Sequence, residues 1–349
     1  MLGLAVNRAS PIGMDIGGRH VKLAQAVRTG RGWSLVSCMS LPRVSPGQPM
    51  DAREAGQLGL VLTRRGFRGR RIVLAVPEDV LVTGMLEAPP RTSGAPVEEI
   101  ARAELASMHD FDPAAAETLC WDLPGTGRPR AATQVMAIAC RHADAESLLD
   151  PLESADIEPV ALESRMHACV RACRTLLPQT GLAAIMDVEW DWTVLVMVFN
   201  GLPIYRRLVA EAAVHRLAET IGETLELDSE GVDYLLTEVG LRPAAPDAGG
   251  EPMDVAHMAI RKHLDVLVDS VQSPFTYAAR QHGVPHVSTM LMTGFGAAIP
   301  GVSEELGRRL QLPVRVVRPV DVMTPARDLD GTATDPALTV AVGLACFGN

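Results

Sequence analysis

The sequence predicts an α/β protein of two lobes, each built on its own sheet, with a small α/β subdomain inserted into the first lobe. Two observations predict this class. Three short β-rich runs open the chain and three more open its second half, and in both sets the first run carries an acid near its end, at Asp15 and Asp187. A separate pattern of strands and a helix interrupts the first half. An internal duplication with an insertion explains both observations, because repeated units keep the same order of elements.

The elements of the first lobe follow one another closely. The runs PIGMDIG, HVKLAQAV and WSLVSCMSL are separated by turns that contain glycine, which predicts an antiparallel meander. A helix is expected near residues 51–65, and RIVLAVP then has the continuous apolar character of a strand buried on both faces. We assign residues 1–90, 158–180 and 335–349 to the first lobe.

The insertion and the second lobe have patterns of their own. The stretch VEEIARAELASM places apolar residues on one side of a helix, and strands near 118–123 and at TQVMAIAC complete the subdomain that we assign to residues 91–157. In the second lobe, GLAAIMDVEWD, TVLVMVFNG and LPIYRRLVA repeat the meander of the first. We assign residues 181–334 to this lobe, with a helical subdomain at about 210–283.

Composition excludes several classes of protein. The net charge of -10 argues against nucleic acid as a partner, because binding to phosphate backbones requires a basic face. No apolar run is long enough to cross a bilayer, and residues 1–10 are too short and too weakly basic for a secretory signal. The six cysteines form no CxxC pair, as expected of reduced thiols in the cytoplasm. No Ser-His-Asp arrangement, Walker loop or zinc signature is present.

The stretch MDIGGRHVK carries the clearest chemical pattern. Asp15 ends a strand, Gly17 and Gly18 form a turn whose backbone N–H groups an anion could approach, and Lys22 follows as a cation. A strand-end aspartate can also order water around a magnesium ion. The alternative is an ordinary β-turn with a hydrogen-bonding aspartate and a lysine at a strand edge. Gly294 and Gly296, in MTGFGAAIPG, end a later strand and leave room for a base and ribose.

These elements, in this order, resemble the actin-like ATPase superfamily, which includes actin, Hsp70 and the sugar kinases. DIGGRHVK resembles its first phosphate loop, DVEWDWT stands where its second belongs, and TGFGAAIPG resembles its adenosine motif. The resemblance implies an actin-like fold, which is a duplicated ribonuclease H-like fold of two lobes.

Longer segments resemble one family within that superfamily, the PilM-type type IV pilus assembly proteins, which are related in fold to FtsA. LAVPEDVLVTGMLEAPP and the helix and strand after it are similar to the family's inserted subdomain, and ADIEPVALESRMHACVRA is similar to its next segment. The resemblance implies a cytoplasmic scaffold for a type IV pilus or a related secretion machine. Its expected partner is a bitopic inner-membrane protein like PilN, whose short cytoplasmic tail would dock in a groove near residues 75–123.

The resemblance also implies site residues. Asp15, Gly17, Gly18 and Lys22 would face the β- and γ-phosphates of ATP, Asp187 and Thr193 would belong to the second phosphate loop, and Gly294 and Gly296 would border the adenosine. Asp15 and Asp187 would hold magnesium through water, and Glu163 would orient the attacking water as the catalytic acid.

The second loop departs from the family pattern. Glu189 stands where the loop should have glycine, and Trp190 and Trp192 crowd the rest of it. Two unit charges of the same sign about 4 Å apart repel by about 4 kcal/mol at an effective dielectric constant of about 20. A glutamate beside a triphosphate therefore strongly weakens binding of the triphosphate. We therefore expect a partly degenerate nucleotide site in which binding of ATP and magnesium is weak or lost, and little or no ATPase activity.

Two other functions stay open on the sequence. One is an active actin-like ATPase or small-molecule kinase that uses Glu163 or Asp187 as its base. The other is an FtsA-like polymer, which would carry an amphipathic membrane-targeting helix at its C-terminus. Because the chain ends in GLACFGN, we expect contact with the membrane only through the partner, together with further assembly proteins and with homo-oligomerisation left open.

Overall fold

Two five-stranded sheets of the same design and a third sheet of three strands organise the chain. The structure is a computed structural model that describes residues 9–30, 32–124, 132–242, 250–329 and 331–348. Most of the N-terminal segment that we considered as a signal therefore lies outside the described residues.

The strands of the described chain are β1 (Ile12–Ile16), β2 (His20–Thr29), β3 (Gly32–Pro42), β4 (Arg71–Val76), β5 (Val82–Ala88), β6 (Ala116–Asp122), β7 (Thr133–Arg141), β8 (Glu158–Ser164), β9 (Leu182–Val188), β10 (Thr193–Phe199), β11 (Leu202–Val209), β12 (Met290–Thr293) and β13 (Val314–Val316). Its α-helices are α1 (Ala52–Arg64), α2 (Val97–His109), α3 (His142–Ser154), α4 (Arg165–Cys173), α5 (Val214–Leu225), α6 (Ser229–Tyr234), α7 (Glu251–His282), α8 (Val302–Leu310), α9 (Pro319–Val322) and α10 (Thr339–Ala345).

The two large sheets repeat one topology. The first has the order β3-β2-β1-β4-β8 and the second the order β11-β10-β9-β12-β13. In each, an antiparallel meander leads to a central strand, β1 or β9, which pairs in parallel with the next strand of its sheet. Asp15 and Asp187 are both the second-last residue of that central strand. The repeat therefore places the two carboxylates at equivalent strand ends.

The third sheet, with the order β5-β7-β6, belongs to the inserted subdomain, and helix α2 packs on it. Its boundaries differ from those we drew on the sequence. Strand β5 pairs with β7 along its full length, although residues 82–88 fall in the range that we assigned to the first lobe. Helix α3 packs against α1, and its Leu152 belongs to the same buried cluster as Leu58 of α1, in the core of the first lobe. We propose that the subdomain spans residues 82–141.

The core shows why the apolar run RIVLAVP forms an interior strand. Ile72 and Leu74 of β4 face the cluster that includes helix α1, whereas Val73 and Ala75 face the cluster on the opposite side. Consecutive side chains of a strand point to opposite faces, so a strand with helices on both sides must be apolar throughout.

The last helix, α10, is buried along its whole length and packs against α4 and β1. Glycine permits both contacts. A Cβ added at Gly343 would lie 2.0 Å from the carbonyl oxygen of Ala168, and one at Gly13 would lie 1.9 Å from that of Ala341. Both distances are far inside van der Waals contact, so these backbones can approach only where no side chain intervenes.

The second lobe carries a helical layer formed by α5, α6 and α7, with a π-helical turn at Leu235–Val239 directly after α6. Helix α7 is 32 residues long and packs on α5 and α8. Among the described residues, none of the helices combines the length and the apolar character that a bilayer crossing requires.

Candidate functional site

The two strand-end carboxylates meet in the cleft between the lobes, and an arginine lies between them. Arg165 donates from Nη1 to Asp15 Oδ1 and from Nη2 to Asp187 Oδ2, the latter at 2.6 Å. Its Nη2 atom also lies 3.4 Å from Glu189 Oε1. Arg165 is the first residue of α4, directly after strand β8, and is 2% exposed. The chain thus supplies its own cation at the place where we expected magnesium.

Lys22 completes this buried cluster. Strand β2 pairs Lys22 with Asp15, and the Lys22 ammonium contacts Glu189 Oε2 and lies 3.7 Å from Asp15 Oδ2. Asp187 receives a further hydrogen bond, at 2.8 Å, from the hydroxyl of Thr293. The cluster therefore holds three carboxylates and two cations, all of them buried.

The protonation equilibria reflect this excess of acid. Burial raises the pKa of Asp15, but the nearby charges of Arg165 and Lys22 outweigh it and leave the pKa below its usual value. Burial lowers the pKa of Lys22, but Glu189 and Asp15 outweigh it and raise the pKa. Burial, helped by the charge of Asp187, raises the pKa of Glu189 to about 7. Of Asp15 and Glu189, Glu189 is thus the carboxylate that is harder to ionise in this cluster.

The first glycine turn is also satisfied from within the chain. The Gly18 N–H donates to Asp191 Oδ2 at 2.7 Å, and the Gly17 N–H donates to the carbonyl of His20 at 2.9 Å. A Cβ at Gly18 would lie 2.5 Å from both carboxylate oxygens of Asp191, so only glycine allows this approach. Arg43 donates to the Gly17 carbonyl at 3.0 Å and fixes the other side of the turn.

A cavity of about 260 Å³ lies beside this cluster. It is lined by Gly17, Gly18, Arg19, His20, Lys22, Ser40, Arg165, Glu189, Trp190, Asp191, Trp192, Phe295, Asp335 and Ala337. The Arg19 guanidinium pairs with both carboxylate oxygens of Asp233, on helix α6, and lies 4.5 Å from the centre of the Trp190 ring. Trp190 in turn meets Phe295 edge to face, with centroids 5.9 Å apart.

Three of the predicted residues, Thr193, Gly294 and Gly296, do not belong to the lining of this cavity. The Thr193 hydroxyl donates to the carbonyl of Ala212 at 2.6 Å and is fully buried. Gly294 has φ +86, and a Cβ there would lie 2.4 Å from the carbonyl oxygen of Val188; one at Gly296 would lie 2.3 Å from Val188 Cγ1. These glycines let the turn after β12 pack on the end of β9.

Glu163 is separated from the cluster. Both of its carboxylate oxygens accept hydrogen bonds from Arg171, which also donates to the carbonyl of Gly343 at 3.0 Å. Glu163 does not belong to the cavity lining. Its catalytic role stays a prediction. In this arrangement the carboxylate joins β8 to α4, and the Arg171 guanidinium extends the link to α10.

As arranged, these residues do not fit a magnesium ion and a triphosphate. The two carboxylates that would order magnesium-bound water are held by Arg165, Lys22 is held by Glu189, and the Gly18 N–H is held by Asp191. Among the described residues, no three His, Cys, Asp or Glu side chains form a group that could hold a metal. The Trp192 Nε1 has no hydrogen-bond partner among them, but a single donor does not bind a triphosphate.

Arg165, Asp191 and Asp233 were not predicted as site residues. Arg165 did carry a signal in the sequence. It shares a helix face with Ala168, Cys169 and Ala172, all of which are buried. A charged residue on such a face requires a buried partner of opposite charge.

Comparison with known proteins identifies the family. A family model described as type IV pilus assembly protein PilM matches residues 13–348. The chain belongs to this family. The predicted family membership is therefore confirmed. A separate comparison with curated protein sequences found no significant match.

Similar solved structures confirm the predicted actin-like fold of two lobes. A PilM-PilN type IV pilus biogenesis complex matches with a TM-score of 0.77 and 20% identity, over 96% of this chain and 97% of that chain. The ethanolamine utilization protein EutJ from Carboxydothermus hydrogenoformans gives 0.56 and 15%, over 98% and 90%. MreB5 of Spiroplasma citri bound to ADP gives 0.54 and 14%, over 98% and 96%.

Proposed function

We propose that this chain is a scaffold of a type IV pilus assembly machine that docks the short cytoplasmic tail of a bitopic inner-membrane protein like PilN. The observation that carries the proposal is the likeness to a chain of a PilM-PilN type IV pilus biogenesis complex, which covers 96% of this chain and 97% of that chain. The two other structures described above match with lower TM-scores, 0.56 and 0.54 against 0.77. The chain would then reach the membrane, and further assembly proteins, through its partner.

The tail would dock on the inserted subdomain, within residues 75–123. Two large apolar side chains are exposed there: Met108 on helix α2 is 60% exposed and Leu119 on strand β6 is 55% exposed. Strand β6 lies at an edge of its sheet, so its outer backbone groups are available to an extended peptide. Leu119 lies on this edge strand and is the apolar anchor that we propose for the tail. Met108 lies instead near Gly84 of β5, at the opposite edge of the sheet.

The role that we propose does not require turnover of ATP. Support comes from the cleft, where Arg165, Lys22 and the Gly18 N–H are each engaged by a carboxylate of the chain itself. The alternative is an active actin-like ATPase or small-molecule kinase. The similar MreB5 structures with ADP and AMPPNP keep that alternative in view, since they share the fold.

The test is calorimetric titration of the full chain with a synthetic peptide that has the sequence of the N-terminal tail of a PilN-like protein from the same organism. We expect binding without nucleotide, weakened by Leu119→Glu. Met258→Glu is the matched control, because Met258 is 66% exposed on helix α7, away from the insertion. Binding that requires ATP, or ATP turnover that Asp15→Ala abolishes, would overturn the proposal in favour of the enzyme.

A further inference from the structure

The cleft between the lobes is crossed by a set of charge pairs. Four groups of the first lobe each contact a carboxylate of the second lobe. The contacts are Gly18 with Asp191, Arg19 with Asp233, Lys22 with Glu189, and Arg165 with Asp187. The partners are 173, 214, 167 and 22 residues apart in the sequence, the third separation being 189 minus 22. These four groups of the first lobe, each of which suits an anion, are thus bound to carboxylates of the second lobe.

The chemistry of these pairs matches what a metal-bound phosphate would supply. A turn of glycine amides binds anions through its N–H groups, and Asp191 presents an anionic oxygen to Gly18 at 2.7 Å. Asp15 and Asp187 would repel each other across the cleft without a cation between them, and the Arg165 guanidinium is that cation.

We propose that this cleft is closed by its own side chains: Arg165 takes the place of the metal between Asp15 and Asp187, and carboxylates of the second lobe take the place of phosphate oxygens. The lobes then keep one arrangement whether or not nucleotide is present. This inference rests on the nucleotide-independent role proposed above. It adds the physical cause of that independence, a latch between the lobes that consists of three ion pairs and the hydrogen bond from the Gly18 N–H to Asp191.

The members of the latch differ in burial, and this difference fixes how the latch responds to salt. The side chains of Arg165, Asp15 and Asp187 are at most 4% exposed, whereas those of Arg19 and Asp233 are 23% and 34% exposed. Salt screens exposed pairs much more than buried ones. Raising the ionic strength should therefore weaken the Arg19–Asp233 pair and leave the ion pairs of the buried cluster intact.

Hydrogen exchange of the full-length chain, followed by mass spectrometry, tests the latch directly. Two peptides report on it, one covering the first glycine turn and one covering the second loop. In the wild-type chain we expect both to be protected, with no change on adding ATP and magnesium. Asp191→Ala removes the acceptor of the Gly18 amide and should speed exchange of the first peptide by about tenfold or more. Asp233→Ala should do so to a smaller extent.

Asp265→Ala is the matched control. Asp265 pairs with Arg309 at a partly exposed site, but both residues lie in the second lobe. It should leave both peptides unchanged, and circular dichroism checks that each variant is folded. The latch is overturned if ATP and magnesium slow exchange in the wild-type chain, or if Asp191→Ala and Asp233→Ala behave like the control. Titration of the same samples with the tail peptide keeps the two proposals apart, because peptide binding to a chain with an open cleft would leave the scaffold role standing and remove only the latch.

Discussion

Arg165 donates a hydrogen bond of 2.6 Å to Asp187 Oδ2 and another to Asp15, so one guanidinium joins the equivalent strand ends of the two lobes. This contact defines the cleft more than any of the glycine turns around it. It makes the centre of the site a structural ion cluster, and it makes the stability of the whole chain depend on the charges of that cluster.

Replacing Arg165 with methionine should destabilise the chain strongly. The change keeps the volume of the side chain but leaves Asp15 and Asp187 buried without their cation, and breaking one side of a buried pair lowers stability by about 3–5 kcal/mol. Urea unfolding measures the loss. Arg315→Met is the control: Arg315 pairs with Asp321 at a side chain that is 53% exposed, where a loss below about 1 kcal/mol is expected. Equal losses in the two variants would contradict a buried cluster.

Replacing Glu189 with glycine should raise the affinity for ATP. The change removes a negative charge from the phosphate side of the cavity and frees Lys22 for an anionic ligand. Removal of one close repulsion corresponds to at most about three decades of affinity. Titration calorimetry with ATP and magnesium measures the gain, and Lys22→Ala should lower whatever binding exists. An unchanged affinity in Glu189→Gly would show that this carboxylate does not oppose the ligand.

Stability should fall as the pH falls from 6.5 towards 4, in part because of His263. Burial lowers the pKa of this histidine from 6.5 to about 4, and its Nε2 has no hydrogen-bond partner among the described residues. Between these two pH values, His263 therefore binds a proton in the unfolded chain but not in the folded chain. The contribution of His263 to the free energy of unfolding is complete above pH 6.5. It is lost as the pH falls from 6.5 to about 4, by at most about 3 kcal/mol.

Urea unfolding of His263→Leu across the same pH range checks this assignment. The variant should lose part of the pH dependence while it keeps the volume of the buried side chain. Some dependence should remain, because burial, followed by the charge of Arg171, also lowers the pKa of His167 to about 4. A slope identical to that of the wild-type chain would contradict the role of His263.

Replacing Gly343 with alanine should separate α10 from α4. The added methyl would meet the backbone of Ala168, which cannot move aside as a flexible side chain can. Overpacking typically lowers the free energy of unfolding by about 1–3 kcal/mol, and we expect a loss at the upper end of this range. Thermal unfolding measures it. Gly56→Ala in helix α1 is the control, because a Cβ there has nothing within 4 Å and alanine favours the helix by up to about 1 kcal/mol. A Gly343→Ala chain as stable as the wild type would mean that the two helices are not in close contact.

Much of the fold could be predicted from local patterns. The two meanders, the apolar strand β4 and the inserted subdomain depend on periodicity and turn residues, which act over a few neighbouring positions. The extent of the insertion was harder to predict. Strand β5 lies in the third sheet because it pairs with β7, about 50 residues further along the chain, and an isolated strand carries no information about its partner.

The candidate site divides in the same way. Sequence reasoning selected Asp15, Lys22 and Asp187, and the structure brings these three side chains into one buried cluster. It also identified Glu189 as the residue that departs from a phosphate loop. The sequence provided at most an indirect indication of Arg165, which pairs with Asp15 and Asp187, and of Asp191, which accepts the hydrogen bond of the Gly18 N–H.

The sequence by itself determined the order of the elements and the duplication, because both depend on residue types at fixed spacing. Its resemblance to known proteins indicated the family and the unusual acid of the second loop. Only the tertiary structure decided which charges neutralise one another. Asp15 and Arg165 are 150 residues apart and Gly18 and Asp191 are 173 apart, so their pairing depends on how two sheets pack across a cleft. Once buried there, each charge must find a partner or remain at a high cost in free energy, and that requirement selected the contacts.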